Sequence, residues 1–364
     1  MKKFLILMML CMCATAFAGN NKGNDDTRVV FIMIDGLRWQ EVFGGVDAKI
    51  IADKRYVSEP ATMEKRFVRP TSQQARAALM PFVWNKVKDM GLIIGNRWKN
   101  SRMQVANHMH FSYPGYSESM CGFPDDEHVN SNDLVNNPNQ TIMEIANKDS
   151  RYKGRVLCFG SWDCFPYIIN EQRSGLEVNA GYRHSLSKNP TKEELLINEM
   201  QDQTPAIWSS VRFDVFTYHY ALEAMKSRKP KFVYIGFGET DDFAHEGRYD
   251  QYVMSANRAD EFIGKLWDYC QSDPFYKGKT TFIITCDHGR GDGASRPDDW
   301  KDHGEEIKNS EQTWLIAFGK NVPARGEESN NGIFYNKQVA PTIAQWLGVA
   351  FTPAHKDAGK PFNF

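Results

Sequence analysis

The chain is poor in the features that mark several functional classes. None of its seven cysteines forms a CxxC pair, which removes the usual thiolate zinc site. Acidic and basic residues are nearly balanced, 45 against 44, for a formal net charge of −1. No long block of one sign occurs, so nothing points to a nucleic-acid polymer or an anionic membrane surface. There is no internal repeat and no low-complexity linker. The apolar run from Phe4 to Ala16 is too short to anchor a protein in a bilayer. Its setting, Lys2 and Lys3 before it and Ala16-Phe17-Ala18 before Gly19, is that of a signal peptide over residues 1–18. Neither Cys11 nor Cys13 follows the small-residue box of a lipoprotein. The expectation is export to the periplasm or beyond, with no membrane span in the mature chain. Five cysteines would remain, Cys121, Cys158, Cys164, Cys270 and Cys286. Cys158 and Cys164 are close enough in sequence to pair, and an odd count leaves at least one thiol free.

After a polar lead-in over 19–27, Val29 to Ile34 is a continuous apolar run stopped by Asp35-Gly36. A strand buried on both faces reads this way. The same grammar recurs at 155–159, 232–237, 281–285 and 314–318. Helical periodicity lies between, over 71–90, 140–147, 213–227, 249–268 and 336–347. Alternating strands and helices predict an α/β fold, a mostly parallel central sheet with helices on both faces. The stretch 161–208 mixes Gly, Pro, Asn and aromatics and reads as an insertion or cap outside the sheet. Within it, Trp162, Phe165 and Tyr167 offer either core packing or a stacking surface for a nucleobase or aryl group.

Polar residues interrupt this pattern at strand ends, where open α/β sheets bind ligands. Asp35 follows one run, Glu239-Thr240-Asp241 another, and Asp287-His288-Gly289 a third. An Asp after a strand is often only a turn or cap, but three acidic strand ends, two with a neighbouring His, point to a metal centre. Asp241 and His245 are four apart, which on a helical turn puts both on one face. Asp287 and His288 are adjacent at an extended strand end and point apart. His303 lies in a Gly- and Asp-rich loop. Oxygen and nitrogen ligands suit zinc, manganese and related transition metals. In His110-Phe111-Ser112-Tyr113-Pro114, Pro114 marks the first turn of a helix with Ser112 just ahead of it. Ser112 there reads equally as a helix cap and as a hydroxyl beside a phosphate held by free backbone N–H groups.

These residues resemble the alkaline phosphatase superfamily, and most closely its nucleotide pyrophosphatase/phosphodiesterase-like branch. Ser112-Tyr113-Pro114 matches the start of that branch's nucleophile segment, and Gly122 its closing glycine. Glu239-Thr240-Asp241-Asp242-Phe243-Ala244-His245 matches Glu-Pro-Asp-x-x-Gly-His in order and spacing. Cys286-Asp287-His288-Gly289, His303-Gly304 and Ile34-Asp35-Gly36 match the remaining motifs. The resemblance implies a three-layer sandwich over 28–364. It implies two divalent metal ions, zinc by preference, one held by Asp241, His245 and His303. The other would be held by Asp35, Asp287, His288 and Ser112. Such pairs lie about 4 Å apart and clamp the attacking and leaving oxygens. Ser112 would form a phosphoserine intermediate in the hydrolysis of a small-molecule phosphate ester, either a monoester or a diester. An asparagine would hold a phosphoryl oxygen, with Asn132 the nearest candidate and Asn130 the alternative.

The chain departs from the branch where Gly115-Tyr116 replaces Asn-His, which is expected to alter the substrate-facing rim. Sulfatases of the superfamily carry Arg where Tyr116 stands. Phosphoglycerate mutases insert a whole domain after the serine, and too few residues separate Ser112 from Asp241 to hold one. Those two activities are the alternatives within the fold, and an inactive metal-binding protein is the alternative outside catalysis. Arg38, Arg290 and Arg296 lie near the motifs, and Arg38 reads as a surface residue.

Overall fold

The structure is a computed structural model that describes residues 26–329 and 332–364; the expected signal peptide lies outside the described residues. The strands are β1 Arg28–Ile34, β2 Gly91–Ile94, β3 Arg102–Gln104, β4 Val156–Gly160, β5 Glu177–Ala180, β6 Phe232–Phe237, β7 Thr280–Thr285, β8 Gln312–Thr313, β9 Leu315–Gly319, β10 Gly326–Glu327 and β11 Ile333–Tyr335. Eight of them form one sheet in the order β10-β2-β9-β7-β1-β6-β4-β5, and β11-β3-β8 form a small second sheet. In the large sheet only β9 runs against its neighbours β7 and β2. All five apolar runs of the sequence are strands of this sheet, and β1, β4, β6 and β7 are buried along their whole length.

The pleat of β1 shows how the layers form. Val30, Ile32 and Ile34 enter a core shared with helices Ser72–Leu79, Asp214–Ser227 and Tyr249–Ser272. Val29, Phe31 and Met33 enter the opposite core, under helices Ser112–Cys121, Ile142–Lys148 and Val339–Leu347. Alternation along a strand sends successive side chains to opposite faces, and here both faces are covered. The result is the expected three-layer α/β sandwich.

Three expectations are corrected. The helix predicted over 71–90 breaks after Leu79, and the chain continues as a π-helical segment Val83–Val87 and a short turn Lys88–Met90. Pro81 supplies no N–H to continue the ladder. The carboxylate of Asp260 then accepts the free N–H groups of Phe82 and Val83 at 2.7 and 2.9 Å. The stretch 161–208 is not wholly outside the sheet, because β5 pairs with β4 as the edge strand. Its only apolar residues, Val178 and Ala180, were too few to read as a run. Finally, Cys158 and Cys164 are both buried and free, as are the other three described cysteines.

The helix Ser112–Cys121 is locked onto the end of β7. A Cβ added to Gly115 would lie 2.2 Å from the carbonyl oxygen of Asp287, so only glycine allows this approach. From the other side, the buried Glu118 carboxylate accepts the N–H groups of Ala106, Asn107 and Lys337 at 2.8–3.0 Å. Replacing Gly115 by Ala is expected to lower stability by about 1–3 kcal/mol through overpacking. Gly332→Ala, where nothing lies within 4 Å, should leave it nearly unchanged. Urea unfolding of the two variants measures the difference.

Candidate metal centre

β7, β1 and β6 are adjacent and parallel, so their carboxyl ends deliver Asp287, Asp35 and Asp241 to one edge of the sheet. Asp35 prolongs the ladder, its N–H bonding Phe237 O at 2.9 Å. Gly36 then turns the chain with φ +58°, and its N–H donates to Asp287 Oδ1 at 3.1 Å. Thr240 Oγ donates to the carbonyl of Asp35. Asp241 and His245 share one face of the short helix Glu239–His245, with Asp241 Oδ2 3.1 Å from His245 Nε2. His288 Nε2 lies 3.3 Å from Asp35 Oδ1 and 3.3 Å from Asp287 Oδ2. His303 Nε2 lies 3.5 Å from Asp241 Oδ1 and 3.0 Å from His245 Nε2. The structure thus brings together six of the seven residues predicted to hold metal.

Ser112 joins them. It is the first residue of its helix, and Phe111 in the N-cap position makes no side-chain bond. The Ser112 hydroxyl caps nothing. Its Oγ sits 3.3 Å from His288 Nε2 and 3.5 Å from Asp35 Oδ1. The capping alternative fails on this geometry. Asn132 lies at the same mouth, its Oδ1 accepting the Tyr113 N–H at 3.0 Å. Asn130 is exposed and donates to Glu127 O, so it is set aside.

Two sets of three donor atoms lie within 4.8 Å of one another: Asp35, Asp287 and His288, and Asp241, His288 and His303. His245 stands beside the second set but is exposed. The donors fit divalent cations. Asp287 Oδ2 is buried without a hydrogen-bond donor, a cost of about 1–3 kcal/mol or more for a charged group, and a cation among these oxygens would remove it. The ring tautomers agree with this. Nδ1 of His303 faces His110 O at 3.1 Å and Nδ1 of His288 faces Gly289 O at 2.8 Å, so each Nδ1–H donates outward and each Nε2 is turned to the carboxylates. Burial and neighbouring cationic groups hold the His303 ring neutral, well below the usual imidazole range. Burial alone would lower His288, but Asp287 and Asp35 outweigh it and raise its pKa to about 9. Burial and the adjacent Asp35 carboxylate push Asp287 well above the usual range.

The profile of the Metalloenzyme superfamily matches residues 214–349. A 2,3-bisphosphoglycerate-independent phosphoglycerate mutase from Gracilaria tenuistipitata var. liui is 27% identical over 133 residues, 35% of this chain and 23% of that protein; the match spans about a quarter of the curated relative. Among solved structures, alkaline phosphatase PafA superposes with a TM-score of 0.61 at 9% identity, over 92% of this chain and 98% of that one. The phosphonate monoester hydrolase SpPMH from Silicibacter pomeroyi gives 0.57 at 14%, over 92% and 75%. The lipoteichoic acid synthase LtaP from Listeria monocytogenes gives 0.57 at 10%, over 92% and 74%. The chain has an alkaline phosphatase-like fold.

Within that fold several residues carry roles that sequence reasoning missed. Tyr116 was expected at the substrate-facing rim, but it is buried and donates its hydroxyl to Asp35 Oδ2 at 2.8 Å. Arg38 was read as a surface residue and is instead 3% exposed, paired with Glu41 and bonded to Gly291 O at 2.9 Å. Arg290 is 1% exposed. Its guanidinium meets Asp241 Oδ1, donates to the carbonyls of Trp300 and Lys301, and lies 3.3 Å from His245 Nδ1. It ties the Asp241 helix to the loop that carries His303. Burial opposes ionisation of Asp241, but Arg290, His245 and His303 together outweigh it and hold the carboxyl well below its usual range. Arg296 is half exposed and pairs with Asp302. Of the three aromatics, Phe165 is core packing over Gly160 and Gly236, and Tyr167 gives its carbonyl to Tyr113 and Asn137. Trp162 alone lines the site.

Ligation requires His288 to give up its ring proton. Adding zinc to the metal-free protein at pH 7 should therefore release protons, and the release should fade above about pH 9. Calorimetry in buffers of different ionisation enthalpy measures it. Arg290→Met should lower zinc affinity of the Asp241 cluster on the order of tenfold while leaving the circular-dichroism spectrum unchanged. Metal analysis after dialysis against a graded chelator checks this.

Proposed function

We propose that the chain is an exported, two-metal hydrolase of small-molecule phosphate esters that acts through a phosphoserine at Ser112. The observation that carries the proposal is the position of Ser112 Oγ, at a helix start with no capping role and 3.3–3.5 Å from His288 and Asp35. Asp35, Asp287 and His288 with Ser112 would hold one divalent ion, and Asp241, His245 and His303 the other, with zinc the ion best suited to this donor set. When bound, such ions supply Lewis-acid stabilisation of the phosphoryl oxygens and lower the pKa of a coordinated hydroxyl or water.

The rest follows from the side chains. Ser112 Oγ attacks phosphorus and the ester P–O bond breaks, releasing the alcohol. Water then cleaves the Oγ–P bond, so one ester and one water give one alcohol and one phosphate or monoester. The Asn132 amide, fixed through its Oδ1 by Tyr113 N–H, leaves its Nδ2 to bond a phosphoryl oxygen. The start of the helix Ser112–Cys121 adds the positive end of its dipole to the same site. Tyr116 keeps Asp35 oriented by holding its second oxygen. Tyr116 in place of Arg argues against a sulfatase. Among the described residues no helix is long and apolar enough to cross a membrane, and export rests on the leader at residues 1–18.

A panel of p-nitrophenyl phosphate, a p-nitrophenyl phosphodiester, a phosphonate monoester and a sulfate tests the reading on the zinc-loaded protein. Phosphate esters should turn over, and Ser112→Ala should reduce kcat on the order of 10³-fold or more with metal content retained. Turnover of sulfate alone, or full activity in Ser112→Ala, would sink it. His245→Ala should lose metal without loss of fold.

A further inference from the structure

Asn132 brings a side-chain amide to the cavity beside Ser112, which no lysine or arginine lines among the described residues. Phosphoryl oxygens turned away from the metal ligands would therefore meet neutral donors there. The place of this amide depends on its loop, and the loop has little to hold it. Residues 132–136 are all exposed, Leu134 and Val135 at 51% and 64%, so burial contributes little to its order. Two polar clamps take that part. At one end the Tyr113 N–H meets Asn132 Oδ1 at 3.0 Å, and the Tyr113 hydroxyl donates to Val135 O at 2.7 Å. At the other end stands Asn137, which is fully buried.

Every polar group of Asn137 is in use. Its Nδ2 donates to Ser117 Oγ at 3.1 Å and to Ile168 O at 3.2 Å, and its Oδ1 accepts the Asn139 N–H at 2.9 Å. Its N–H donates to Tyr167 O, and its carbonyl accepts from Asn170 Nδ2 and Arg173 Nη1, both at 2.9 Å. Arg173 reaches on to the carbonyls of Pro138 and Asn139 and pairs with the buried Glu144 carboxylate. One guanidinium thus straps three successive carbonyls, which its planar fork can do and a lysine cannot. Tyr113 and Ser117 are four residues apart and share one face of the helix that begins at Ser112. Both clamps therefore close on the same helix, and the Asn132 loop and the Ser112 hydroxyl are held in one frame.

Resting on the hydrolase reading, we propose that Asn137, supported by Arg173, is a positioning residue for phosphoryl recognition, fixing the Asn132 amide relative to Ser112 without touching substrate. A packing role alone predicts lower stability and nothing more. Positioning predicts that the loss of Asn137 or Arg173 is felt through Asn132.

The test is a double-mutant cycle on inorganic phosphate binding, titrated calorimetrically into the zinc-loaded protein, with kcat/KM for p-nitrophenyl phosphate measured alongside. Asn132→Ala should weaken phosphate binding roughly tenfold, through loss of a hydrogen bond to an anion. Asn137→Ala should weaken it by a similar factor, and Arg173→Met by about threefold. Arg173 is partly exposed, so its variant carries the cycle if Asn137→Ala fails to fold. In the Asn132→Ala background neither change should weaken phosphate further, while the loss of urea stability from each persists. Losses that multiply in the double variants overturn the proposal. So does an equal loss in Asn136→Ala, whose side chain is exposed and bonds Gln172. The two readouts separate this inference from the reading beneath it. A persistent cycle in phosphate binding without turnover of any ester keeps the positioning role and removes the hydrolase. Turnover with multiplying losses keeps the hydrolase and removes the positioning role. Absence of both binding and turnover removes both.

Discussion

Three carboxylates held at the ends of three neighbouring strands are the constraint around which this protein is organised. Donor oxygens of Asp35 and Asp287 lie within 4.8 Å of each other and of His288. Two unit charges at that distance repel by about 3.5 kcal/mol at an effective dielectric of about 20. A sheet that forces parallel strand ends together cannot relieve this by moving one of them, because the ladders Ile34–Phe237 and Met33–Thr285 fix the register. The relief comes from protonation, which the raised range of the Asp287 carboxyl expresses, or from positive charge and hydrogen-bond donors. The chain supplies both in part: Arg290 to Asp241, Tyr116 to Asp35, the Gly36 N–H to Asp287. Asp287 Oδ2, faced by the His288 ring at 3.3 Å but without a hydrogen bond, is where a divalent ion removes the largest cost.

The surroundings hold this repulsive arrangement in place. The short helix bearing Asp241 and His245 is braced from below by Asp214, whose carboxylate accepts the N–H groups of Gly238 and Glu239 and the Ser161 hydroxyl. Glu239 returns the contact through the Asp214 N–H and is itself held by Ser255 and Arg258. The hydroxyl of Ser112 is positioned less by its own bonds than by the close seating of its helix on the Asp287 backbone at Gly115. Backbone placement of this kind keeps the hydroxyl near its partners without consuming its hydrogen-bonding capacity.

Much of this was legible in the sequence. Continuous apolar runs located five strands, and the acids that follow three of them located the three carboxylates. Spacing placed Asp241 with His245. The helix over 71–90 misread because a single buried carboxylate, Asp260, lies 179 residues beyond Pro81 and no local pattern announces it. Tyr116 and Arg290 were missed for a related reason. Each looks like an ordinary residue beside a motif, and only the packing shows which oxygen it faces. Gly115 read as a departure at the substrate-facing rim, whereas the structure shows a backbone-to-backbone approach that no larger residue permits. β5, too short and too polar to form a run, was invisible because its stability comes from pairing with β4.

The reversed direction of β9 has a consequence for how this centre can diversify. A parallel strand following β7 would have required the chain to cross to the opposite edge of the sheet, carrying whatever lay between away from the carboxylates. Because β9 runs back from Leu315 beside Thr285, the whole span from Cys286 to Trp314 begins and ends at the same edge. Asp287, His288, Arg290 and His303 all sit on that one excursion. Its length is not tied to any helix that must span the sheet. Residues can enter or leave it while both anchoring strands keep their register, so the reach of the loop is free to change without reopening the core.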